Sequence, residues 1–451
     1  MYCSFTHKLR ITPILLISIL LSITGCEPNT PTATASNYTP YPFEQLVPHE
    51  RVSTDWTPIL NATWGGVKKR NVDAYDVPLI HRPRSEMSGD AVSEGVGYGM
   101  ILALYSNDQD YFNKIWHAGE DKMWNGKAYD WRTDEQGKVI GTTAATDADE
   151  DIAAMLIFAD HLVKKGLWRA DHKSPKGVTY AQRAQTIIDY MFEAMVHEGK
   201  YVKFGDAPSD ASNTNPAYFA PAFYRIFNQF EGGHRWDAVI EQNYLSIEAN
   251  PGYSKGLLPD WMTPEGELLP TGPGYNTYDK GHSMFKDGIR VYWRLAADAL
   301  WFNEPRAKKF LQNAMDFIKA KAIEDGSADH PNSPAHLANF YQMNGEQVPL
   351  DDIWTDFNMG KTQRFRNEHS HLTIGMWAMA AAGIGDTEAA EAFSRELLTF
   401  YEGGDTFGKS HDPSGRNEDF DHNELYFDQF LAWFGTTALN GNFCNILTCI
   451  K

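Results

Sequence analysis

The apolar residues of this chain recur at intervals of three and four along most of its length, which restricts it to a fold of packed helices. Between Asp151 and Lys165 the apolar positions lie on one helical face: Ile152, Met155, Leu156, Ala159 and Leu162. The stretches with this period are 52–64, 94–105, 108–118, 151–165, 184–195, 215–230, 234–249, 286–302, 307–318, 369–382, 386–401 and 424–439. About a dozen helices with very little strand-like alternation predict an all-α chain.

Long connecting segments rich in Gly, Pro, Trp, Asp and Tyr separate several of these helices, as in "MWNGKAYDWRTDEQGKVIGTTAATD" and "GLLPDWMTPEGELLPTGPGYNTYDKGH". Connections of this length within a compact domain usually carry function. No short repeat is visible, which disfavours a solenoid. The pattern predicts a toroid of paired helices whose long loops form a cleft at one end.

The first residues have the layout of a secretory signal. In "HKLRITPILLISILLSITGC", two basic residues precede an apolar stretch from Ile11 to Ile23, which is too short for an ordinary membrane span. The "ITGC" sequence resembles a bacterial lipobox, in which the cysteine becomes the lipid-modified first residue. We therefore expect a lipoprotein-type signal peptide (1–25), a polar tether (26–45) anchored through Cys26, and one large domain (46–451). A plain signal peptide cleaved nearby is the alternative.

Export to an oxidising compartment also bears on the cysteines. Cys3 leaves with the signal peptide and Cys26 takes the lipid, so Cys444 and Cys449 remain. These two form either a small C-terminal disulfide or separate thiols, and they are too few for a zinc cluster. We expect a protein that is lipid-anchored to a bacterial membrane, in the periplasm or at the cell surface.

The formal net charge of −19 disfavours the basic patches with which proteins hold nucleic acid or anionic lipid. A neutral or cationic ligand suits such a surface better. We expect no nucleic-acid partner, no membrane contact apart from the lipid, and a monomer.

The densest group of acids lies in "AATDADEDIAAMLIFAD", at the predicted start of a helix. Its members are Asp147, Asp149, Glu150 and Asp151. A helix N-terminus stabilises negative charge, and a cap at Asp147 or Asp149 accounts for one or two of the four acids. A calcium loop fits the D-x-D-x-D spacing, but it needs glycine and glutamate at the positions that Ile152 and Phe158 occupy.

Crowded acids beside aromatic-rich loops indicate cleavage of a glycosidic bond. That reaction needs one protonated carboxyl that donates to the leaving oxygen and a second carboxylate that activates water. Glu94, in "DAVSEGVGYGMILALYSND", stands at a helix start beside Gly95, Gly97 and Gly99. Because glycines leave space above the backbone, we expect a bulky ligand to approach this acid closely.

Five blocks follow one another along the chain: "SEGVGYGM", "ATDADEDIAAMLIFAD", "NTNPAYFAPAFYRIF", "GLLPDW" and "DGIRVYWRLAAD". In this order and at these separations they resemble glycoside hydrolase family 8, and most of all its bacterial endoglucanases. The resemblance runs from Tyr41 to Phe443. It implies an (α/α)6 barrel of six inner and six outer helices with cleft-forming loops. It also implies an inverting endo-β-1,4-glucanase, without cofactor or metal, that hydrolyses internal bonds of cellulose-type or mixed-linkage β-glucan.

By the same resemblance, Glu94 is the general acid, Asp287 the general base, and Asp147 the residue that binds and distorts the sugar beside the scissile bond. Inversion requires the two carboxyl groups to stand about 6.5–9.5 Å apart, with water beside the base. We expect burial to raise the pKa of Glu94 while Asp287 stays ionised. Arg290, on the helical face of the base, is expected to hold it ionised. Arg294 either shares that task or only bridges helices.

Sugar rings are apolar on their C–H faces and stack on aromatic side chains. The aromatic residues in or near the matching blocks are therefore expected to bind substrate; they are Trp64, Tyr98, Trp131, Tyr218 and Trp261. Tyr426 resembles the family tyrosine near the catalytic water. Lys286 stands where the endoglucanases have a tyrosine, which leaves the substrate preference open.

Three other interpretations stay open. Within the family, an endo-xylanase or a chitosanase would act on another β-linked polymer. A non-catalytic glycan-binding lipoprotein at the surface would keep the aromatic loops but has no need for all three acids. An α-helical metalloenzyme would draw on "EHSH" at Glu368–His371, which lacks the H-E-x-x-H spacing that places two ligands on one helical face.

Overall fold

A computed structural model of the chain describes residues 48–170, 173–269, 282–325, 334–348, 353–356, 361–364, 369–401, 403–408, 410–411, 419–420 and 425–450. The predicted signal peptide, the polar tether and the lipid anchor at Cys26 lie outside these residues. They stay predictions, as does the monomer. Within the described ranges, no helix combines the length and the apolar composition that crossing a bilayer requires.

The described residues contain twelve α-helices of ten residues or more. They are α1 (Thr57–Val67), α2 (Ser93–Tyr105), α3 (Gln109–Lys122), α4 (Thr146–Lys164), α5 (Tyr180–Ala194), α6 (Pro221–Phe230), α7 (Trp236–Ala249), α8 (Val291–Phe302), α9 (Pro305–Asp325), α10 (His371–Ile384), α11 (Thr387–Phe400) and α12 (Phe427–Leu439). Each corresponds to one of the stretches in which the sequence has helical period.

Short elements fill the connections between these helices. A π-helical turn (Lys68–Val72) extends α1, and four-residue α-helices stand at Arg84–Met87 and Ile446–Cys449. The 3₁₀ turns are Pro208–Ala211, Pro216–Tyr218, Tyr253–Lys255, Gly288–Arg290 and Pro334–His336. The strands are β1 (Ala91–Val92), β2 (Asp130–Thr133), β3 (Val139–Ala144), β4 (Val196–His197), β5 (Tyr201–Val202), β6 (Ser283–Met284), β7 (Tyr341–Gln342), β8 (Ile353–Asp356), β9 (Lys361–Arg364), β10 (Ser410–His411) and β11 (Asp419–Phe420). β1 to β3 form one antiparallel sheet, and β4–β5, β6–β7, β8–β9 and β10–β11 are antiparallel pairs.

The ends of the helices differ from the predicted ones where proline intervenes. The predicted stretch 215–230 divides into a 3₁₀ turn at Pro216–Tyr218 and α6, which begins at Pro221. Proline has a fixed φ and no N–H, so it starts a helix better than it continues one. The stretch 286–302 contains no proline, and it begins with the 3₁₀ turn Gly288–Arg290 before α8.

The twelve helices alternate between two layers that differ in burial. In α2 every residue except Glu94 is buried, and in α12 every residue except Phe427. In α5 the buried residues form one stripe: Tyr180, Arg183, Ala184, Ile187, Ile188 and Met191. A helix buried on all sides lies inside a fold, whereas a single buried stripe marks a helix with one face in water. α4, α8 and α10 are likewise buried over most of their length, and α6 packs against α4 and α8. The even-numbered helices therefore form the inner layer.

The inner helices pack side by side in chain order, from α2 to α12. The ring closes between the last and the first, where the Tyr98 ring of α2 lies 5.7 Å from Phe430 and 5.2 Å from Phe434 of α12. α1 packs on α12, and each later outer helix packs on the inner helix that precedes it in sequence. The structure is therefore the (α/α)6 barrel that the sequence resemblance implies.

The three-stranded sheet fixes the first residues of two inner helices. β1 runs directly into α2, and β3 ends at Ala144, just before α4 begins. β2 pairs with both strands, so that Val92 lies opposite Arg132 and Asp130 opposite Ala144. The sheet therefore holds the N-termini of α2 and α4 side by side at one end of the barrel.

A disulfide joins Cys444 and Cys449 after α12, with 6.2 Å between their Cα atoms. Of the two alternatives that the sequence left open, the structure has the disulfide. The hydroxyl of Tyr105, the last residue of α2, donates to the carbonyl oxygen of Cys444 at 2.7 Å. The C-terminal segment is thereby attached to the end of α2 that lies away from Glu94.

Close contact between α10 and α12 depends on two facing glycines, and we expect substitution there to be costly. A Cβ on Gly435 would lie 2.2 Å from the carbonyl oxygen of Gly375, which is part of the helix backbone and cannot move alone. Gly435→Ala should lower the free energy of unfolding by about 3 kcal/mol or more, measured by urea denaturation.

The matched control is Gly65→Ala in α1, because Gly65 is exposed and a Cβ there meets nothing within 4 Å. Alanine is the better helix former, so this variant should be more stable by about 0.5–1 kcal/mol. Equal effects of the two substitutions would contradict the packing argument.

Candidate active site

One arginine brings the three predicted catalytic acids together. The Arg290 side chain is 2% exposed, and its Nη1 donates to Glu94 Oε2 at 2.6 Å and to Asp147 Oδ2 at 2.7 Å. Its Nη2 donates to Asp287 Oδ1 at 2.6 Å. Charge-assisted hydrogen bonds of this length are strong, and the planar guanidinium fixes the directions in which they point. Three segments of the chain that are distant in sequence therefore meet at one side chain.

Each acid stands at the beginning of an element. Glu94 is the second residue of α2, and Asp147 is the second residue of α4. Asp287 directly precedes the 3₁₀ turn that leads into α8. The prediction that Asp147 or Asp149 caps its helix is wrong, because α4 begins at Thr146 and neither side chain makes a cap. The carboxyl of Asp147 points to Arg290 instead.

Glu94 has the environment that a proton donor needs. Its side chain is 18% exposed, and the Tyr426 hydroxyl donates to its Oε1 at 3.0 Å. Burial raises the pKa of Glu94 to about 7; Arg290 and the Tyr426 hydrogen bond oppose the rise, and the negative charges of Asp147 and Asp287 add to it. Desolvation therefore keeps a proton on Glu94 near neutral pH although a cation is bound to it.

The glycines beside Glu94 do not open space for a ligand, contrary to the sequence prediction. Gly95, Gly97 and Gly99 are buried in α2. A Cβ on Gly97 would lie 2.8 Å from the Cβ of Asp151, and one on Gly95 would lie 3.1 Å from the Tyr426 hydroxyl. The space is filled by neighbouring parts of the chain, so these glycines serve close packing around Glu94.

A second ion-pair network lies one helical turn deeper. Arg294 Nη1 donates to Asp151 Oδ1, and its Nη2 is 3.9 Å from Glu150 Oε2. All three side chains are buried, and burial raises the pKa of Asp151 to about 7. Of the two roles left open for Arg294, the structure supports the bridge, since Arg294 joins α8 to α4 and is not bonded to Asp287. The shared spacing of four residues on both helices was the sequence signal for this network.

The expected aromatic contacts divide into exposed and buried groups. Tyr218, Trp131 and Trp261 are partly exposed. The ring of Tyr218 has its centroid 5.4 Å from the guanidinium carbon of Arg290, and Trp261 stacks edge-on against Phe204 at 5.1 Å. The sequence analysis did not identify Phe204 as a neighbour of Trp261, because a single phenylalanine in a loop carries no distinguishing sequence signal. These side chains keep faces on which a sugar could stack.

Trp64 and Tyr98 do not offer such faces, which corrects the sequence prediction. The Trp64 indole is 1% exposed, and its N–H donates to Asp108 Oδ2 at 3.1 Å, so it belongs to the packing between α1 and α3. Tyr98 is fully buried, and its hydroxyl accepts from Arg290 Nη1 at 3.4 Å. Tyr426 is 3% exposed and acts on Glu94 by its hydrogen bond. Burial leaves none of these rings available for stacking on a sugar.

The histidines of "EHSH" are engaged inside the protein. His369 is hydrogen-bonded through Nδ1 to the carbonyl oxygen of Leu337 at 2.7 Å and through Nε2 to Glu396 Oε1 at 2.9 Å. His371 lies 3.2 Å from the side-chain nitrogen of Gln429. Glu368 lies outside the described residues. These contacts explain the two imidazoles as links between helices and do not favour a metal site there.

Comparison with known proteins adds independent evidence. Residues 57–329 match the model of the family described as Glycosyl hydrolases family 8. Endoglucanase A of Acetivibrio thermocellus is 34% identical over 71% of this chain and 66% of its own length. Endoglucanase C of Ruminiclostridium cellulolyticum is 31% identical over 92% of this chain and 79% of its own length. This chain thus spans about two thirds of the length of the first relative and more of the second.

Among solved structures, the apo structure of a β-1,3-1,4-glucanase from Paenibacillus sp. X4 has the same fold. Its TM-score is 0.66 at 19% identity, with 90% of this chain and 99% of that chain covered. Identity at this level supports the barrel architecture only. It agrees with the ring of alternating helices described above.

The raised pKa of Glu94 should make the protein less stable as the pH rises. The ordinary value of 4.5 applies to the unfolded chain and a value of about 7 to the folded one, so the folded state binds more protons between them. Stability is therefore lost across that interval. We expect Glu94→Gln to be more stable than the wild type by about 1–3 kcal/mol near pH ~8 and equal to it near pH ~4, by urea denaturation.

Glu265→Gln is the control, because this exposed glutamate lies outside the cluster. It should leave the stability unchanged at both pH values. A Glu94→Gln variant that is no more stable than the wild type at the higher pH would show that Glu94 titrates normally.

Proposed function

We propose that this chain, which belongs to glycosyl hydrolases family 8, hydrolyses internal β-1,4 bonds of a cellulose-type or mixed-linkage β-glucan with inversion at the anomeric carbon. Two endoglucanases among its relatives support the substrate class. The observation that carries the proposal is the cluster of three acids on one buried arginine, in which one acid has a strongly raised pKa. When the acid and the base are both carboxyl groups, they need different environments so that their pKa values differ.

Glu94 is the proposed general acid. With a pKa of about 7, its carboxyl is protonated over the mildly acidic range and can donate to the glycosidic oxygen as the bond breaks. Tyr426 and Arg290 hold its two oxygens, so the proton is presented in a fixed direction. Because the carboxyl is already oriented, less conformational entropy is lost when it donates its proton in the transition state.

Asp287 is the proposed general base. At 25% exposure its side chain is the most accessible of the three acids, which suits contact with a water molecule. Arg290 binds Glu94 and Asp287 through different nitrogens, so the two carboxyl groups are held at separate positions on one guanidinium. A retaining enzyme needs its carboxyl groups close together, whereas an inverting one needs a gap for water. We propose the inverting arrangement here, which the family resemblance implies.

Asp147 is the proposed sugar-binding acid. Its side chain is 3% exposed, with Oδ2 bound to Arg290 and Oδ1 accepting from the N–H of Ala148 at 2.9 Å. Because both of its oxygens are hydrogen-bonded, the Asp147 carboxylate cannot rotate. A sugar hydroxyl that binds to it must therefore take the position that the carboxylate sets. We propose that this contact helps to distort the ring beside the scissile bond. Tyr218, Trp131 and Trp261 are the proposed stacking residues for the flanking sugars.

Cellohexaose should be cleaved internally, and proton NMR during the reaction should show the α-anomer of the new reducing end first. Glu94→Gln and Asp287→Asn should each lower kcat by about 10²–10⁴-fold, because each removes a proton-transfer group but keeps its shape. Glu265→Gln is the control and should retain wild-type turnover. The β-anomer appearing first would rule out inversion, and undiminished turnover in either acid variant would rule out its role.

The same assay separates the remaining alternatives. Cleavage of xylan or chitosan in preference to glucan would keep the mechanism and change the substrate, and Lys286 beside Asp287 is a point at which such a preference could arise. Binding of glucan without cleavage of any of these polymers would favour the glycan-binding lipoprotein. Three acids on one arginine support catalysis over simple binding, since a binding site gains nothing from a carboxyl with a pKa of about 7.

We also propose that the protein is exported and anchored through a lipid at Cys26. The "ITGC" sequence after an apolar stretch supports this, and the disulfide Cys444–Cys449 suits an oxidising compartment. In the bacterial host, the full chain should incorporate labelled palmitate and Cys26→Ser should not. Equal labelling of both would contradict the anchor.

A further inference from the structure

A buried carboxyl outside the three-acid cluster supports the turn that carries Asp287. Asp260 lies in the "GLLPDW" segment and is 1% exposed. Its Oδ1 accepts from the backbone N–H of Phe285 at 2.8 Å and from that of Gly288 at 2.7 Å. Its own N–H donates to the carbonyl oxygen of Ser283 at 2.9 Å. The segment at Asp260 is therefore tied to the following turn in both directions.

The two amides bound by Asp260 bracket Asp287 in sequence. The backbone of Asp287 is thus held from below by Asp260, while its side chain is held by Arg290 at 2.6 Å. The Asp287 side chain can rotate about the bonds on either side of its Cβ, so the hydrogen bond to Arg290 needs a fixed backbone beneath it. Both attachments are needed if the carboxyl is to stay in one place.

Gly288 allows this close approach. A Cβ at position 288 would lie 2.6 Å from the carbonyl oxygen of Leu258 and 3.1 Å from Asp260 Oδ1. A backbone oxygen cannot move aside, whereas the end of a flexible side chain can. Any larger residue at Gly288 would therefore lift the turn away from Asp260.

The Asp260 carboxyl is buried next to the negative charge of the proposed base. Burial raises the pKa of Asp260 well above its usual value, and the negative charge of Asp287 adds to the rise. A protonated carboxyl still offers an oxygen that accepts hydrogen bonds. The Asp260 carboxyl can therefore accept from these amides in either protonation state.

We propose that Asp260 is a positioning residue for Asp287, acting through the backbone amides of Phe285 and Gly288. The proposal rests on the proposed function, because it assumes that Asp287 is the base. Asp260 does not touch the reacting atoms, and it acts by fixing the position of the proposed base.

Three variants test the proposal through the hydrogen bonds themselves. Asp260→Ala removes the acceptor and Gly288→Ala pushes the turn away from it, so both should lower kcat by about 10²-fold with KM changed by less than about threefold. Asp260→Asn keeps an oxygen in the same place, and it should retain kcat within about threefold of the wild type. Gly288→Ala keeps Asp260 and remains informative if Asp260→Ala does not fold.

The matched control is Asn250→Ala. Asn250 is also buried and also binds backbone, accepting from Gly252 N–H at 3.0 Å and donating to the Gly266 carbonyl oxygen at 2.9 Å, and both of these bonds lie outside the Asp287 turn. This variant should lose stability with kcat unchanged. If it lost turnover as Asp260→Ala does, general loosening would explain both, and the proposal would fail.

A second measurement is independent of activity. Amide hydrogen exchange by mass spectrometry should show at least about tenfold faster exchange over residues 283–290 in Asp260→Ala and Gly288→Ala, and wild-type exchange there in Asp260→Asn and Asn250→Ala. Unchanged exchange in Asp260→Ala, or equal loss of turnover in Asp260→Asn and Asp260→Ala, would overturn the proposal. A wild-type protein that cleaves no glycan but shows the expected exchange pattern would instead overturn the proposed function.

Discussion

The arrangement of the site follows from one buried cation that is shared among three acids. Arg290 is 2% exposed and hydrogen-bonded to Glu94, Asp147 and Asp287. One positive charge cannot neutralise three negative charges in a poorly solvated place, so the cluster gains free energy by retaining a proton. The pKa of Glu94, about 7, indicates where that proton stays. Glu94 is therefore set apart as the acid first by its burial and then by the negative charges of Asp147 and Asp287.

The barrel supplies the rigidity that this cluster requires. Arg290 directly precedes α8, and the pair Arg294 and Asp151 makes a second contact four residues further along both segments. Two such contacts resist both sliding and rotation of α8 against α4. Gly97 lets α2 approach at the same level, because a Cβ there would be 2.8 Å from Asp151. Ion pairs this deeply buried cost desolvation free energy, and their benefit is the fixed geometry of the site.

Asp287 depends on more than one support because it lies outside the regular helices. Glu94 and Asp147 are held by the first turns of α2 and α4, which the small sheet fixes side by side. Asp287 has only a 3₁₀ turn beneath it. Hydrogen bonds from that turn to Asp260, together with Arg290, replace the support that a helix would give. Loops position catalytic groups well only when buried polar contacts of this kind hold them.

The sequence alone determined the twelve helices, because apolar residues at intervals of three and four form one face of a helix, and this spacing can be read locally. Through blocks that resemble a known family, it also predicted the three acids and Arg290, which the structure brings together. It could not determine which side of a residue faces a ligand: Gly95 and Gly97 make room for Tyr426 and Asp151, and Trp64 is packed inside the protein. It gave no sign of Asp260 as a support, since that role depends on amides 25 and 28 residues away. Contacts between distant segments are decided by packing, and only the tertiary structure contains that information.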